Sequence, residues 1–375
     1  MTTHEKTPLL EGFSLGKGVT LRNRIVMAPM TTWSGNDDGT VSHEEEVYYR
    51  RRVQDIGLVV TGCTHVQENG IGFTGEFAAY DDKFISSLKR LATAAKSGGA
   101  PAILQIFHAG VKTSPELVSD IVAASAVPSD AGPFAPSVIP RALTCAEVET
   151  VILAFGEATR RAIEAGFDGV ELHGAHGFLL QNFFSPHSNR RIDQWGGTLE
   201  NRMRFPLSVV ECVRKTIAEY ATHPFLMGYR ISLDEQYGDG LRIDESLQLV
   251  DRLVDEGIDY LHVSLGHALE ACPFSAPNGP KVIELVRDHL VGRIPLIIAG
   301  HFRTPEEAEE AVNTGVSLVA VGQGMVMNPD WVKFVQGKAE GKIALDISAS
   351  DAEQLCIPRK LWRVIEETTG WFNIR

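Results

Sequence analysis

Cysteine is scarce in this sequence and never paired. Five are spread over 375 residues, at positions 63, 145, 212, 272 and 356, with no C-x-x-C among them. That spacing argues against a zinc ribbon, an iron–sulfur cluster and a disulfide framework, and it suits a reducing compartment. Long apolar runs are missing too: nothing approaches the ~18 residues of a membrane span. The start, MTTHEKTPLLEGFSLGKG, lacks a basic segment followed by an apolar one, so no signal peptide is expected. Positive charge is in deficit. The 35 Lys and Arg against 48 Asp and Glu give a net charge of −13, which opposes a nucleic-acid or anionic-membrane partner. A cytoplasmic protein that handles small molecules is expected, and a homo-oligomer is left open.

What is present is a repeating pattern. Short apolar runs recur at 24–30, 56–62, 100–108, 169–174, 225–232, 259–266, 295–300 and 318–324. Most lack strict alternation, as parallel strands buried on both faces do. Between them lie segments with helical spacing at 84–99, 145–166, 244–257 and 304–315. The last has Thr304 as N-cap and Pro305 at its first helical position. Eight strands alternating with helices predict an α/β fold, a single (β/α)8 TIM barrel. A doubly wound sheet competes, but no strand runs into a G-x-G-x-x-G turn. There is no break in composition, so 1–375 reads as one domain, with 336–375 a C-terminal tail. The Pro-, Ser- and Ala-rich stretch 111–143 is expected to pass over the barrel mouth.

In this fold the C-terminal ends of the strands carry the active site. That end would collect Thr31, Gly62, Gln105, His173, His176, Arg230, Gly300, Gly322 and Gln323. His173 and His176 could be metal ligands with Glu171 nearby, ordinary core histidines, or paired hydrogen-bond donors. The third reading is favoured, because no third ligand is evident and two imidazole N–H groups can grip a carbonyl or phenolate oxygen. Glycines ending strands 7 and 8, with the helix start at Thr304, suit a phosphate. Arg230 suits a delocalised anion across the mouth. A phosphate at one end and a negative ring at the other describe a reduced flavin mononucleotide.

The residues also carry a family resemblance. Six blocks stand in family order: 22-RNRIVMAPMTT-32, 105-QIFHAG-110, 171-ELHGAHGFLLQNFFSPHSNRRIDQWGGTLENRMRFP-206, 228-GYRIS-232, 238-GDGLRIDES-246 and 318-LVAVGQGMVMNPDW-331. They resemble the Old Yellow Enzyme family of FMN-dependent ene-reductases. The resemblance implies that Pro29, Met30 and Thr31 line the flavin ring, with Gly62 near the same edge. It puts Gln105 on the pyrimidine side and Arg230 where negative charge collects on reduction. His173 and His176 would hold the substrate carbonyl, while Gly300, Gly322 and Gln323 would surround the phosphate. Trp33 would face the substrate. The implied reaction is ping-pong: NADH or NADPH gives hydride to flavin N5, which passes it to the β-carbon of an activated alkene.

The pattern is broken in three places. Phe178 stands where the family has a tyrosine that protonates the α-carbon, so slow turnover is expected, or a different acceptor such as a quinone or nitro compound. Gln323 stands where the family has a phosphate-binding arginine, and Arg303 is the candidate substitute. The tail 357-IPRKLWRVIEETTGWFNIR-375 matches no motif. In some relatives a C-terminal arginine enters a partner's site, but for Arg375 and Trp371 packing on their own barrel is expected. A metal-dependent hydrolase built on the two histidines and a non-catalytic flavin protein are the readings from other classes.

Overall fold

The computed structural model describes residues 7–375. Part of the leader reading therefore falls on residues 1–6, outside the described residues. Eight strands form the barrel: β1 (Ile25–Met27), β2 (Leu58–Val60), β3 (Ala102–Phe107), β4 (Gly169–Gly174), β5 (Leu226–Ile231), β6 (Tyr260–Ser264), β7 (Leu296–Ala299) and β8 (Leu318–Val321). Each pairs in parallel with the next, β8 returns to β1, and β3 joins β4, so the sheet is closed. The strands were visible in the sequence because residues buried on both sides cannot alternate with polar ones.

Within the barrel the period of two is clear. Gly169, Glu171 and His173 on β4 point inward, as do Leu226, Gly228 and Arg230 on β5 and Tyr260, His262 and Ser264 on β6. The register sets His173 beside Arg230 and Arg230 beside His262. The lower interior is apolar, with Val26, Leu58, Ile103, Leu226, Ile297 and Leu318 in one cluster. An antiparallel hairpin, Phe13–Gly16 with Val19–Leu21, closes that end by adding Leu15 and Leu21. The upper interior is polar, and it opens at the mouth.

The outer helices are α1 (His43–Arg52), α2 (Ile85–Ala95), α3 (Cys145–Glu164), α4 (Leu199–Tyr220), α5 (Ile243–Asp255), α6 (Val282–Leu290) and α7 (Pro305–Asn313). Thr304 caps α7 in a capping box with Glu307, and Pro305 opens it, as its sequence predicts. The chain ends in α8 (Arg359–Glu367) and a short extension. A parallel bridge pairs Ile347 with Ile374, and Arg375 forms ion pairs with Asp346 and Asp351 at 2.7 Å. Those contacts brace the tail internally; it docks on its own barrel through Arg52, which donates to the Leu355 carbonyl at 2.7 Å, and Arg359, which pairs with Glu44 at 2.8 Å. No helix among the described residues is long and apolar enough to cross a membrane.

Candidate active site

A cavity of about 410 Å³ occupies the barrel mouth. Pro29, Met30, Thr31, Trp33, Gln105, His173, His176, Phe178, Arg230, Gly300, Gly322 and Gln323 all line it. Gly62 does not: its N–H donates to the Tyr49 hydroxyl at 2.9 Å, and a Cβ there would lie 2.5 Å from the Met30 carbonyl. Sequence reasoning missed Cys63, Phe73, Phe134, Ser264 and His301, which also line it, and Trp371, weighed for a partner's site or for packing on the barrel, lines its own chain's cavity. One signal exists only in the backbone. Trp33, His176 and His301 are non-glycine residues with positive φ (53°, 61° and 62°), a conformation that gathers at functional sites.

The buried polar floor is built around Glu171. Its carboxylate accepts from Gln105 Nε2 at 2.7 Å, Tyr260 Oη at 3.1 Å and His262 Nδ1 at 2.9 Å. Gly228 makes this arrangement fit, since a Cβ there would fall 2.1 Å from the Tyr260 ring. Burial pushes the Glu171 pKa up, but His262, Arg230 and Gln105 outweigh it and hold the carboxyl below its usual range. Burial lowers the His262 pKa against the opposing pull of Glu171. A carboxylate only accepts, so the amide nitrogen of Gln105 must face Glu171. Its oxygen then faces the mouth, where the Cys63 thiol donates to it at 3.3 Å. Glu171 is therefore spent on hydrogen bonds. Among the described residues no three His, Cys, Asp or Glu side chains converge as metal ligands.

The two histidines meet above this floor, with ring centroids 4.9 Å apart. Burial, then the competing His176 ring and the Arg230 charge, drive the His173 pKa well below the ordinary value. His176 is likewise lowered by desolvation within the cavity and by Arg230, although its ring still meets solvent at the open side. Both imidazoles are thus neutral at pH 7, each with one N–H. Nδ1 of His173 accepts from the Ala175 amide at 3.3 Å, which leaves the proton on Nε2. Ser264 links His176 to the cation: its Oγ accepts from Arg230 at 3.0 Å and shares a 2.8 Å bond with His176 Nε2. Phe178 packs edge-on against His173 at 4.7 Å and carries no proton donor.

The far end differs from expectation. The amides of Arg303 and Thr304 at the α7 start already donate to the Glu307 carboxylate, at 2.6 and 3.0 Å. The helix terminus expected to hold a phosphate is therefore capped by an acid of its own chain. Gly300 is glycine because the Ala268 backbone packs against it, 2.6 Å from where a Cβ would stand. Gln323 spends both ends of its amide, accepting from Arg303 at 2.6 Å and donating to the Trp371 carbonyl at 2.6 Å. Arg303 is buried, 8% exposed, and its Nε has no partner.

These features test whether FMN fits. The volume is within the ~300–1,000 Å³ of small-molecule and cofactor sites. Two buried guanidiniums stand apart, Arg230 and Arg303, each with an unpartnered Nε. Burying a cation without a full set of acceptors is costly, so a dianionic phosphate and an electron-rich ring would each relieve one. The residues fit the cofactor.

A closed parallel barrel with Arg230 in its mouth and Arg303 behind Gln323 suits a barrel oxidoreductase that takes a flavin. The sequence model of the NADH:flavin oxidoreductase / NADH oxidase family matches residues 8–341. A probable NADH-dependent flavin oxidoreductase of Bacillus subtilis, YqiG, is 42% identical over 97% of this chain and 97% of its own. The NADH:fumarate oxidoreductase of Klebsiella pneumoniae is 39% identical over 97% of this chain, which corresponds to only 39% of that longer protein. The Old Yellow Enzyme homologue of Zymomonas mobilis superposes with a TM-score of 0.78 at 25% identity, over 90% of this chain and 94% of that one. The chain belongs to this NADH:flavin oxidoreductase family, the Old Yellow Enzyme family. It is an FMN-dependent NAD(P)H oxidoreductase.

Proposed function

We propose that this enzyme reduces activated alkenes, α,β-unsaturated carbonyl compounds, at the expense of NADH or NADPH, in a ping-pong cycle that uses one pocket for both. The observation that carries this reading is the histidine pair, with lowered pKa values, above the floor that Glu171 and Gln105 build. FMN, when bound, supplies the two-electron step, taking hydride from the nicotinamide and passing it to the acceptor. Pro29, Met30 and Thr31 would line the ring, and Gln105, aimed by Glu171, would present its carbonyl to it. Arg230 would stabilise negative charge on the ring, and Arg303 would hold the phosphate with Gly300 and Gly322. His173 and His176 donate to the carbonyl oxygen of the acceptor, where charge develops as the β-carbon is reduced. Burial and the nearby Arg230 charge lower both pKa values well below the ordinary histidine value, which favours the neutral donor form.

Phe178 supports a second reading. Quinones and nitro compounds do not need a proton delivered to an α-carbon, so an enzyme lacking the tyrosine can serve them. Fumarate, in the name of the Klebsiella relative, is itself an activated alkene, but this chain matches only 39% of that protein.

The test is an anaerobic absorbance spectrum of the FMN-loaded protein, taken before and after NADH or NADPH and then 2-cyclohexenone. The expected result is bleaching by the nucleotide and recovery with the enone. Bleaching that recovers only with a quinone or nitro compound would replace the first reading with the second.

A further inference from the structure

Aromatic side chains from four separate segments cluster around Trp33 on one side of the mouth. Trp33 follows β1, Phe73 follows β2, Phe134 lies in the 111–143 excursion, and Trp371 comes from the tail. Trp33 touches the other three, with centroids 5.5 Å from Phe73, 5.3 Å from Phe134 and 5.7 Å from Trp371. Phe134 and Trp371 meet at 5.1 Å. Phe73 leads down to Phe178 at 6.3 Å, and so to the histidines. Such a cluster meets the body of a ligand with apolar faces while the histidines hold its oxygen. Its placement then decides which bodies pass.

We propose that Trp371 is a specificity-determining residue of its own chain's site, held at the mouth by Gln323. This rests on reading the mouth as the acceptor site. Three members of the cluster are carried by barrel loops, but Trp371 arrives on a segment that must be held down. One anchor is the 2.6 Å bond from Gln323 to its carbonyl. The other lies beyond it, where Arg375 pairs with Asp346 and Asp351. Gln323 is fixed in turn by Arg303 at 2.6 Å. A residue at the end of β8 thus works as a positioning residue, setting one wall of the acceptor pocket through the tail. The selected class is a small flat ring bearing one oxygen, such as a monocyclic enone or phenol. Rings with branched substituents opposite the oxygen meet the tryptophan.

The test reads binding rather than turnover. Phenol and 4-tert-butylphenol are titrated into the FMN-loaded protein, followed by the flavin absorbance, for the parent, Trp371→Ala, Trp371→Phe and Gln323→Met. A difference of one methylene in a shaped apolar pocket is worth roughly 10–200-fold. The parent should therefore prefer phenol by about tenfold or more. Trp371→Ala should bring the ratio of the two dissociation constants close to one, Gln323→Met should lower it in part, and Trp371→Phe should keep most of it. Phenol binding with an unchanged ratio in Trp371→Ala would overturn the role of Trp371 and leave the acceptor site standing. Loss of all phenol binding in the parent would overturn both.

Discussion

At the scale of single residues, the pair that matters is His173 and Phe178. Their rings meet edge-on at 4.7 Å, so the donor proposed for the acceptor oxygen adjoins the position where the family resemblance implies a proton donor. General acid catalysis contributes about 10²–10⁴-fold. Phe178→Tyr is therefore expected to raise the rate of the alkene half-reaction toward that range, while flavin reduction by NADH keeps its rate. Stopped-flow measurement of the two half-reactions separately checks this. An unchanged alkene step would mean that the proton already arrives by another route. The identity of these residues was legible in the sequence, because the block around His173 is long and distinctive. The function of Glu171 was not. Its neighbour in sequence suggested a metal site, whereas its partners Gln105 on β3 and Tyr260 and His262 on β6 come from two other strands and appear only when the barrel closes.

At the scale of elements, α1 couples the mouth to pH. Glu45 on its first turn is fully buried and accepts a hydrogen bond from the Thr32 hydroxyl, directly after Thr31. Burial raises its pKa from 4.5 to about 7, and its Oε2 has no partner. The folded state thus holds the proton more tightly than the unfolded chain does. That contribution is fully present below the unfolded pKa near 4.5 and is lost as pH rises through about 7. It amounts to an energy on the order of 3 kcal/mol. The melting temperature of the parent should fall between pH 5 and pH 8 more than that of Glu45→Gln; equal slopes would contradict the raised pKa. Elements themselves were well marked. The run 169–174 is β4 to the residue, and 304–315 brackets α7 because Thr304 and Pro305 announce its start. The run 24–30 shrank to Ile25–Met27, since Ala28, Pro29 and Met30 leave the ladder to line the mouth. The hairpin under the barrel went unread, because four residues ending in Gly-Lys-Gly give too short a pattern to show a strand.

At the scale of the whole molecule, the mouth draws residues from nearly every strand end and from the tail, so its far wall could not be read from a linear sequence. Gln323 looked like a weakened phosphate ligand. Only folding brings Arg303 to one end of its amide and Trp371 to the other. On the proposed seating, the same reach would make the cofactor a cross-link between β1, β3, β5, β7 and β8. A ligand that binds only the folded state stabilises it by RT ln(1 + [L]/Kd), about 2.7 kcal/mol at a hundredfold excess. Stripping FMN should therefore lower the melting temperature, and adding it back should raise that temperature in proportion to the logarithm of FMN concentration. Arg303 is where the phosphate enters this balance. A hydrogen bond to a charged group is worth about 1.5–3 kcal/mol, so Arg303→Ala should weaken FMN binding roughly 10–100-fold. Losing that guanidinium also releases Gln323, which changes the apo protein, so the quantity to compare is the FMN concentration at which the melting temperature begins to climb. In Arg303→Ala that onset should move up by the loss in affinity while the slope beyond it stays the same. An onset at the parent's concentration would show that the phosphate is held without Arg303, leaving the backbone around Gly322 as its support.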